Sequence, residues 1–396
     1  MRLFDDDEAI DRSDTQPSSH AEPRFPYLNR SGRPVAAQVR AVLESWFQSY
    51  PESGKLELWS RFRSPDSTPH HSAFFELYMH QLLKRLGYDV EIHPEVSTGA
   101  KRPDFLVSKL GEGSFILEAT LAGSMSREEE AATARLNAVY DALNKVSSPD
   151  FFLGVEVFGT PGTPVPGKEL RKEVEGFLRG LNPDVIRALL QEGAGLGALP
   201  RHQFTHGDWR IELYPIAKSP AARGKPGIRP LSVFGSGEAR MVDERGPIRD
   251  AILAKAGRYG DLGMPYVVAV NALGQWTVDQ IDIMEALFGK EAFYFDPENP
   301  GEPEMTRQPD GAWFGKHGKQ YTRVSAALIG GDITPWTAGI RTPVVYHNPW
   351  AKHPCPDALR QLRSAHPENN TMKEREGLLG YAVFGLPDGW PVSSES

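Results

Sequence analysis

Between residues 70 and 158 the apolar pattern changes period in a fixed order, and that order limits the folds open to the chain. "PHHSAFFELYMHQLLKRLGY" carries Phe75, Tyr78, Met79, Leu82, Leu83 and Leu86 at helical spacing, and Gly87 stops the helix. "DVEIHPEV" then reads as a short strand. After the polar turn "STGAKRP", "DFLVS" and "SFILEAT" read as buried strands joined by the hairpin turn "KLGEG". "SREEEAATARLNAVYDALNKV" opens with Ser126 and a first turn of acids. It continues with Leu136, Val139, Tyr140, Leu143 and Val146 at helical spacing, before the apolar strand "DFFLGVEVFG". The pattern predicts an α/β fold with the core order α-β-β-β-α-β, a central mixed sheet flanked by helices, and α+β elaborations.

The flanking sequence suggests the domain limits. Residues 1–32, rich in Asp, Ser, Pro and Arg without periodicity, are expected to be a disordered tail. Residues 33–64 form a lead-in helix with Val39, Val42, Leu43 and Trp46 on one side, and 65–160 form the core. Residues 161–292 read as a helical and basic α/β elaboration. Its expected helices are "KELRKEVEGFLRGL", "PDVIRALLQEG" and "IRDAILAKAGRYG", and its expected strands are "WRIELYPIA", "ARMVDE" and "PYVVAVNA". This second β-β-α-β run loosely echoes the first, as a decayed duplication would, although no second carboxylate pair recurs. Residues 293–396 hold strand candidates in "YTRVSAALI" and "TPVVYHNP" within an otherwise irregular region.

Composition narrows the class. At 396 residues, 40% hydrophobic and 24% charged, the chain is long enough for two domains and ordinary for a globular protein. A net charge of −8 gives no global basic signature, so any nucleic-acid surface must be locally basic. Cys355 alone excludes an internal disulfide and a multi-cysteine zinc site. With no apolar run of membrane length and an acidic start, the expected location is cytoplasmic, with no membrane partner. Walker-type loops, H-E-x-x-H and G-x-S-x-G are absent. "YHNPWAKHP", with His347, Asn348 and His353, reads as a satisfied turn.

The chemistry concentrates in "RPDFLVSKLGEGSFILEAT". Residues two apart on a strand share a face, so Glu118 and Thr120 point the same way. Asp104 stands at the start of the neighbouring strand, where a hairpin brings it close to Glu118. Two such carboxylates repel unless a cation lies between them, and their oxygens suit Mg²⁺ or Mn²⁺. A bound divalent ion activates water and takes charge from a phosphate, so phosphodiester hydrolysis is the expected reaction.

The helix glutamate, the Pro-Asp and the E-x-x strand, in this order of elements, resemble the PD-(D/E)XK, or restriction-endonuclease-like, nuclease superfamily over residues 70–158. The resemblance implies a metal-dependent endodeoxyribonuclease. Asp104 and Glu118 match its metal-binding carboxylates, and Glu76 matches the acid that many members place on the first helix. The family's lysine is replaced by Thr120, whose hydroxyl can hold a water but supplies no positive charge. The family tolerates migration of the lysine onto the following helix, which points to Lys145, with Lys101 and Lys218 as further candidates. Asn137, Tyr140 and Asp141 on that helix are expected to orient water or phosphate. Arg201, Arg210, Lys218, Arg223, Lys225 and Arg229, interleaved with Trp209 and Tyr214, are the expected DNA contacts, with RNA the second candidate. Cutting both strands of a duplex calls for two sites, hence a homodimer. The competing expectations are a catalytically inactive nucleic-acid-binding protein on a decayed nuclease fold, for which Thr120 argues, and a protein-interaction scaffold.

Overall fold

The computed structural model describes residues 1–96, 101–123, 127–193, 195–225, 227–236, 245–274, 278–296, 299–368 and 371–392. The chain divides into two compact units. The first comprises residues 1–17, 23–124 and 243–396, and the second comprises 18–22 and 125–242.

The first unit opens with α1 (Arg24–Arg30), α2 (Pro34–Ser49), α3 (Glu52–Phe62) and α4 (Ser67–Arg85). The expected single lead-in helix is therefore two, separated at Pro51. The N-terminal segment is not the expected tail. Leu3 and Phe4 are buried in the same core as Phe25, Phe47 and Phe62. Glu44 Oε2 accepts the Leu3 and Phe4 amides at 3.0 and 3.2 Å, and Arg63 pairs with Asp5 at 2.7 Å. A few apolar anchors spaced among polar residues leave no periodic signal, yet each finds a place in the tertiary core.

Next come β1 (Asp89–Ile92), β2 (Phe105–Lys109) and β3 (Gly113–Ala122), an antiparallel meander. The hairpin turn forms where "KLGEG" predicts it, with Gly111 and Gly113 at φ of 83° and 85°, the left-handed region glycine enters without steric cost.

The second unit follows with α5 (Arg127–Leu143), β4 (Phe151–Phe158), α6 (Gly167–Arg179), α7 (Pro183–Gln191), β5 (His202–His206), β6 (Trp209–Ala217) and β7 (Leu231–Ser236). Its strands form a separate sheet of order β5-β6-β4-β7 around a core that includes Leu153, Val155, Leu170, Trp209 and Ile211. The expected fifth and sixth core elements, α5 and β4, thus do not continue the first sheet. Ser126 and the expected strand "ARMVDE" lie outside the described residues.

The chain re-enters the first unit with α8 (Arg245–Ala256) and β8 (Tyr266–Ala272). β8 pairs in parallel with β3, Glu118 opposite Val268, and is the strand that follows the β1-β2-β3 meander in the sheet. All seven of its residues are buried, as expected of a parallel strand covered on both faces. Val267, Val268 and Val270 are each fully buried, worth about 1.5–3 kcal/mol apiece. The echo of the first run is therefore no separate repeat: its last helix and strand belong to the first unit, and the strand joins the first sheet beside β3. α9 (Gln280–Phe288) comes next, followed by two ladders, β9 (Glu291–Asp296) with β10 (Asn299–Arg307) and β11 (Phe314–Gly315) with β12 (Gly318–Lys319).

Then β13 (Val324–Gly331), β14 (Val344–His347), β15 (Ser364–Glu368) and β16 (Thr371–Arg375) complete an eight-stranded mixed sheet, β1-β2-β3-β8-β13-β14-β15-β16. The short α10 (Gly380–Phe384) follows. The expected irregular C-terminal region thus supplies half of the sheet's strands. No helix among the described residues is long and apolar enough to cross a membrane.

Candidate functional site

The β2–β3 register places two carboxylates side by side. Phe105 faces Leu117, so Asp104, one residue before β2, stands opposite Glu118. Asp104 Oδ2 accepts the Ala119 amide at 2.7 Å, and Oδ1 has no hydrogen bond among the described residues. Glu118 is fully buried, which is costly for a charged group unless it is paired.

The pairing comes from α8 and the turn after it. Glu118 Oε1 accepts the Tyr259 hydroxyl, while Oε2 accepts the Lys255 ammonium and Arg258 Nη1, the latter at 3.3 Å. Lys255 lies in the last turn of α8, and the turn that follows, closed by the Arg258 amide on the Lys255 carbonyl at 3.0 Å, brings Arg258 and Tyr259 to the same carboxylate. α8 packs on β3 and β8, directed by the apolar stripe of Ile248, Ile252 and Ala256. Tyr266 donates its hydroxyl to the Lys255 carbonyl at 2.9 Å and meets the Tyr259 ring edge-on at 5.8 Å, which fixes the end of α8 over the carboxylate.

The electrostatics follow from this crowding. Burial, and then the charge of Glu118, push the Asp104 carboxyl up from 3.8 to about 6, against the pull of Lys255 and the Ala119 amide. Burial first, and then the hydrogen bond to Glu118, hold the Tyr259 phenol well above its usual range, so it remains a donor.

Glu76 projects from α4 but is committed elsewhere. Its Oε1 accepts the Tyr50 hydroxyl and its Oε2 accepts Arg61 Nη2, both at 2.6 Å. His93 Nε2 lies 3.9 Å from Oε1, and the His93 amide donates to the Asp104 carbonyl at 3.0 Å. Glu76 therefore adds negative charge near Asp104, and both of its oxygens, like those of Glu118, already accept a hydrogen bond. Thr120 lies two residues beyond Glu118, half-buried and paired through its backbone with Val270.

The expected lysines lie away from Glu118 or have other partners. Lys145 is exposed beyond the end of α5 in the second unit, Lys101 is exposed, and Lys218 is buried with Nζ donating to the Ser148 carbonyl at 2.8 Å. Lys255 is the lysine that reaches Glu118. Asp141 accepts the His20 and Ala21 amides at 2.7 and 3.0 Å, and Tyr140 packs edge-on against the His20 ring at 5.3 Å. Both are thus engaged within the second unit. Asn137, also on α5, is half-buried in that unit.

The expected nucleic-acid residues all fall in the second unit, and most have internal partners. Arg201 pairs with Glu156 and Glu212 at 2.9 and 3.3 Å, Arg223 with Asp184 at 2.7 Å, and Arg229 donates to the Ser18 carbonyl at 2.9 Å. Arg210 lies over the Phe158 ring at 4.2 Å with its residue exposed, and Lys225 is exposed; neither has an ion pair among the described residues. Asn348 is buried and bonds the Val324 carbonyl and the Trp350 amide, as a satisfied turn requires.

The described residues include no group of three or more His, Cys, Asp or Glu placed to hold a metal ion. The pair Asp104 and Glu118 nonetheless fits Mg²⁺, which is commonly held by one or two carboxylates with waters completing the shell. The raised Asp104 carboxyl reflects its burial first and the neighbouring Glu118 charge second.

Sequence reasoning missed Lys255, Arg258 and Tyr259. The available signal was a helix, "IRDAILAKA", followed after a short Gly-rich turn by the apolar "PYVVAV", a second helix-then-strand pair open to the place beside β3. No family model, curated protein or solved structure matches the chain.

Proposed function

We propose that the protein is a metal-dependent nuclease that hydrolyses DNA phosphodiester bonds on a restriction-endonuclease-like core, made of α4, β1, β2, β3, α8 and β8. The carrying observation is the convergence of Asp104, Glu118 and Lys255 at adjacent strands and the helix packed on them. Lys255 supplies the positive charge that Thr120 cannot. The residue-by-residue resemblance then has its three chemical parts, with the lysine on the helix following β3 after the intervening second unit.

Asp104 and Glu118 would hold Mg²⁺ or Mn²⁺. When bound, the ion supplies Lewis acidity toward phosphate and lowers the pKa of a coordinated water. Lys255 places its amine beside Glu118, suited to orienting an attacking water and to stabilising charge on the phosphate. Tyr259 fixes the Glu118 carboxylate in one orientation, and burial shields that carboxylate from bulk solvent.

The test is cleavage of supercoiled, linear and single-stranded DNA with Mg²⁺ and with Mn²⁺ by wild type, Asp104→Ala, Glu118→Ala and Lys255→Ala. Metal-dependent nicking should fall by about 100-fold or more in each variant. DNA left intact by the wild type under every condition would refute hydrolysis. A second reading, nucleic-acid binding without cleavage, is favoured by one observation: both Glu118 oxygens are already engaged by Lys255, Arg258 and Tyr259. Retained binding without nicking is its signature.

A further inference from the structure

Glu118 has two oxygens and three partners, and the partners are unequally held. Tyr259 packs against Tyr266 and donates to Oε1. Lys255 is 15% exposed, lies in the last turn of α8 and is pinned through its carbonyl by Tyr266. Arg258 reaches the same Oε2 from farther away, at 3.3 Å, through a single nitrogen, with its side chain 34% exposed. A guanidinium carries five N–H donors in a fork suited to phosphate, and among the described residues only one contact of this fork is made.

Charge reinforces the geometry. Asp104 and Glu118 are balanced by Lys255 and Arg258, so the cluster is neutral with Arg258 in place. Withdrawal of Arg258 leaves one net negative charge, which favours a divalent cation. With the ion bound, Asp104, Glu118 and Lys255 together carry one net positive charge, which a phosphodiester neutralises.

Building on the nuclease reading, we infer that Arg258 is the exchangeable partner of Glu118. It occupies the carboxylate when no divalent ion is bound, yields that position to the ion, and then uses its released guanidinium to bind a phosphate oxygen of the nucleic acid. Metal binding and substrate binding are thereby coupled through one side chain. Arg258 competes with the ion and cooperates with the substrate, whereas Lys255 and Tyr259 keep the carboxylate in position throughout.

The experiment is a Mn²⁺ titration by electron paramagnetic resonance on the full chain without DNA, for wild type, Arg258→Ala and Arg258→Lys, combined with steady-state nicking kinetics. Loss of a charge-assisted competitor should tighten Mn²⁺ binding about ten-fold in Arg258→Ala. The KM for DNA should rise about ten-fold in the same variant, with a smaller change in kcat. Arg258→Lys keeps the competing charge but not the fork, so its Mn²⁺ affinity should stay within about three-fold of wild type while KM still rises. Unfolding does not tighten metal binding, so the expected result cannot come from a damaged variant. Equal or weaker Mn²⁺ binding by folded Arg258→Ala overturns the exchange, and an unchanged KM overturns the phosphate contact. A wild type that binds no Mn²⁺ overturns the metal reading and this inference together.

Discussion

Asp104→Asn should make the protein in EDTA more stable at pH 8 and leave it nearly unchanged at about pH 3.5. The Asp104 carboxyl, which ionises at 3.8 in an ordinary setting, does so at about 6 in the fold. Well below pH 3.8 both folded and unfolded chains hold the proton, and the position contributes no difference. Between about pH 4 and 6 the unfolded chain releases the proton while the folded chain keeps it, so stability falls as pH rises. Above pH 6 the cost is complete, at most about 3 kcal/mol at about 1.4 kcal/mol per pH unit. Asn removes that cost but loses the attraction of Lys255 and gives the Ala119 amide a neutral acceptor. Asp104 also keeps part of its surface in water, so the net gain expected at pH 8 is about 1–2 kcal/mol. Urea unfolding in EDTA, followed by tryptophan fluorescence at about pH 3.5 and 8, measures it. Trp209 is the single tryptophan of the second unit, so the signal reports chiefly on the first. A variant less stable than wild type at pH 8, or a difference independent of pH, would refute the claim that folding strains this carboxyl.

Two further substitutions probe the same unit. Lys255→Met should destabilise it by about 2–3 kcal/mol, less than for a fully broken buried pair because Arg258 and Tyr259 remain on Glu118. In a double-mutant cycle with Glu118→Gln the loss should be largely recovered, and strictly additive urea midpoints would show that the two residues do not interact energetically. Leu3→Ala should cost about 2–4 kcal/mol because Leu3 is fully buried, and a thermal midpoint within a degree of wild type would mean that the N-terminal segment does not anchor in the core.

Local rules made much of the first sheet's entry legible. The apolar stripe of α4, the glycine-rich β2–β3 turn and the two-residue periodicity around Glu118 each follow from a few neighbouring residues. The pairing of Asp104 with Glu118 needed only the hairpin register. The lysine was not legible in the same way, because α5 satisfies every local criterion for the helix after β3: an acidic first turn, an apolar stripe and a strand behind it. Sheet membership is decided by which strand fills the place beside β3, and that is a tertiary matter. β8 fills it with seven buried residues, whereas β4 places Glu156 on a half-buried position of its own four-stranded sheet. The surroundings of Glu76 were not legible for a similar reason: its partners Tyr50 and Arg61 come from elements that no periodicity linked to α4.

The separation of the site's halves along the chain is physically inexpensive. Lys255 and Glu118 are 137 positions apart, and closing such a loop rather than one of about ten residues costs only about 2 kcal/mol even for a flexible chain. The intervening segment folds around its own core of Leu153, Val155, Leu170 and Ile211, which removes much of the freedom that this estimate assigns to it. Against that cost stand the parallel β3–β8 pairing from Ile116 to Ala122 and the burial of Val267, Val268 and Val270, each worth about 1.5–3 kcal/mol. The crossover can therefore carry a second folded unit while α8 and β8 still dock in register. Docking of β8 brings α8 against β3, and the last turn of α8 is where Lys255 meets Glu118. The same packing that completes the sheet supplies the cation.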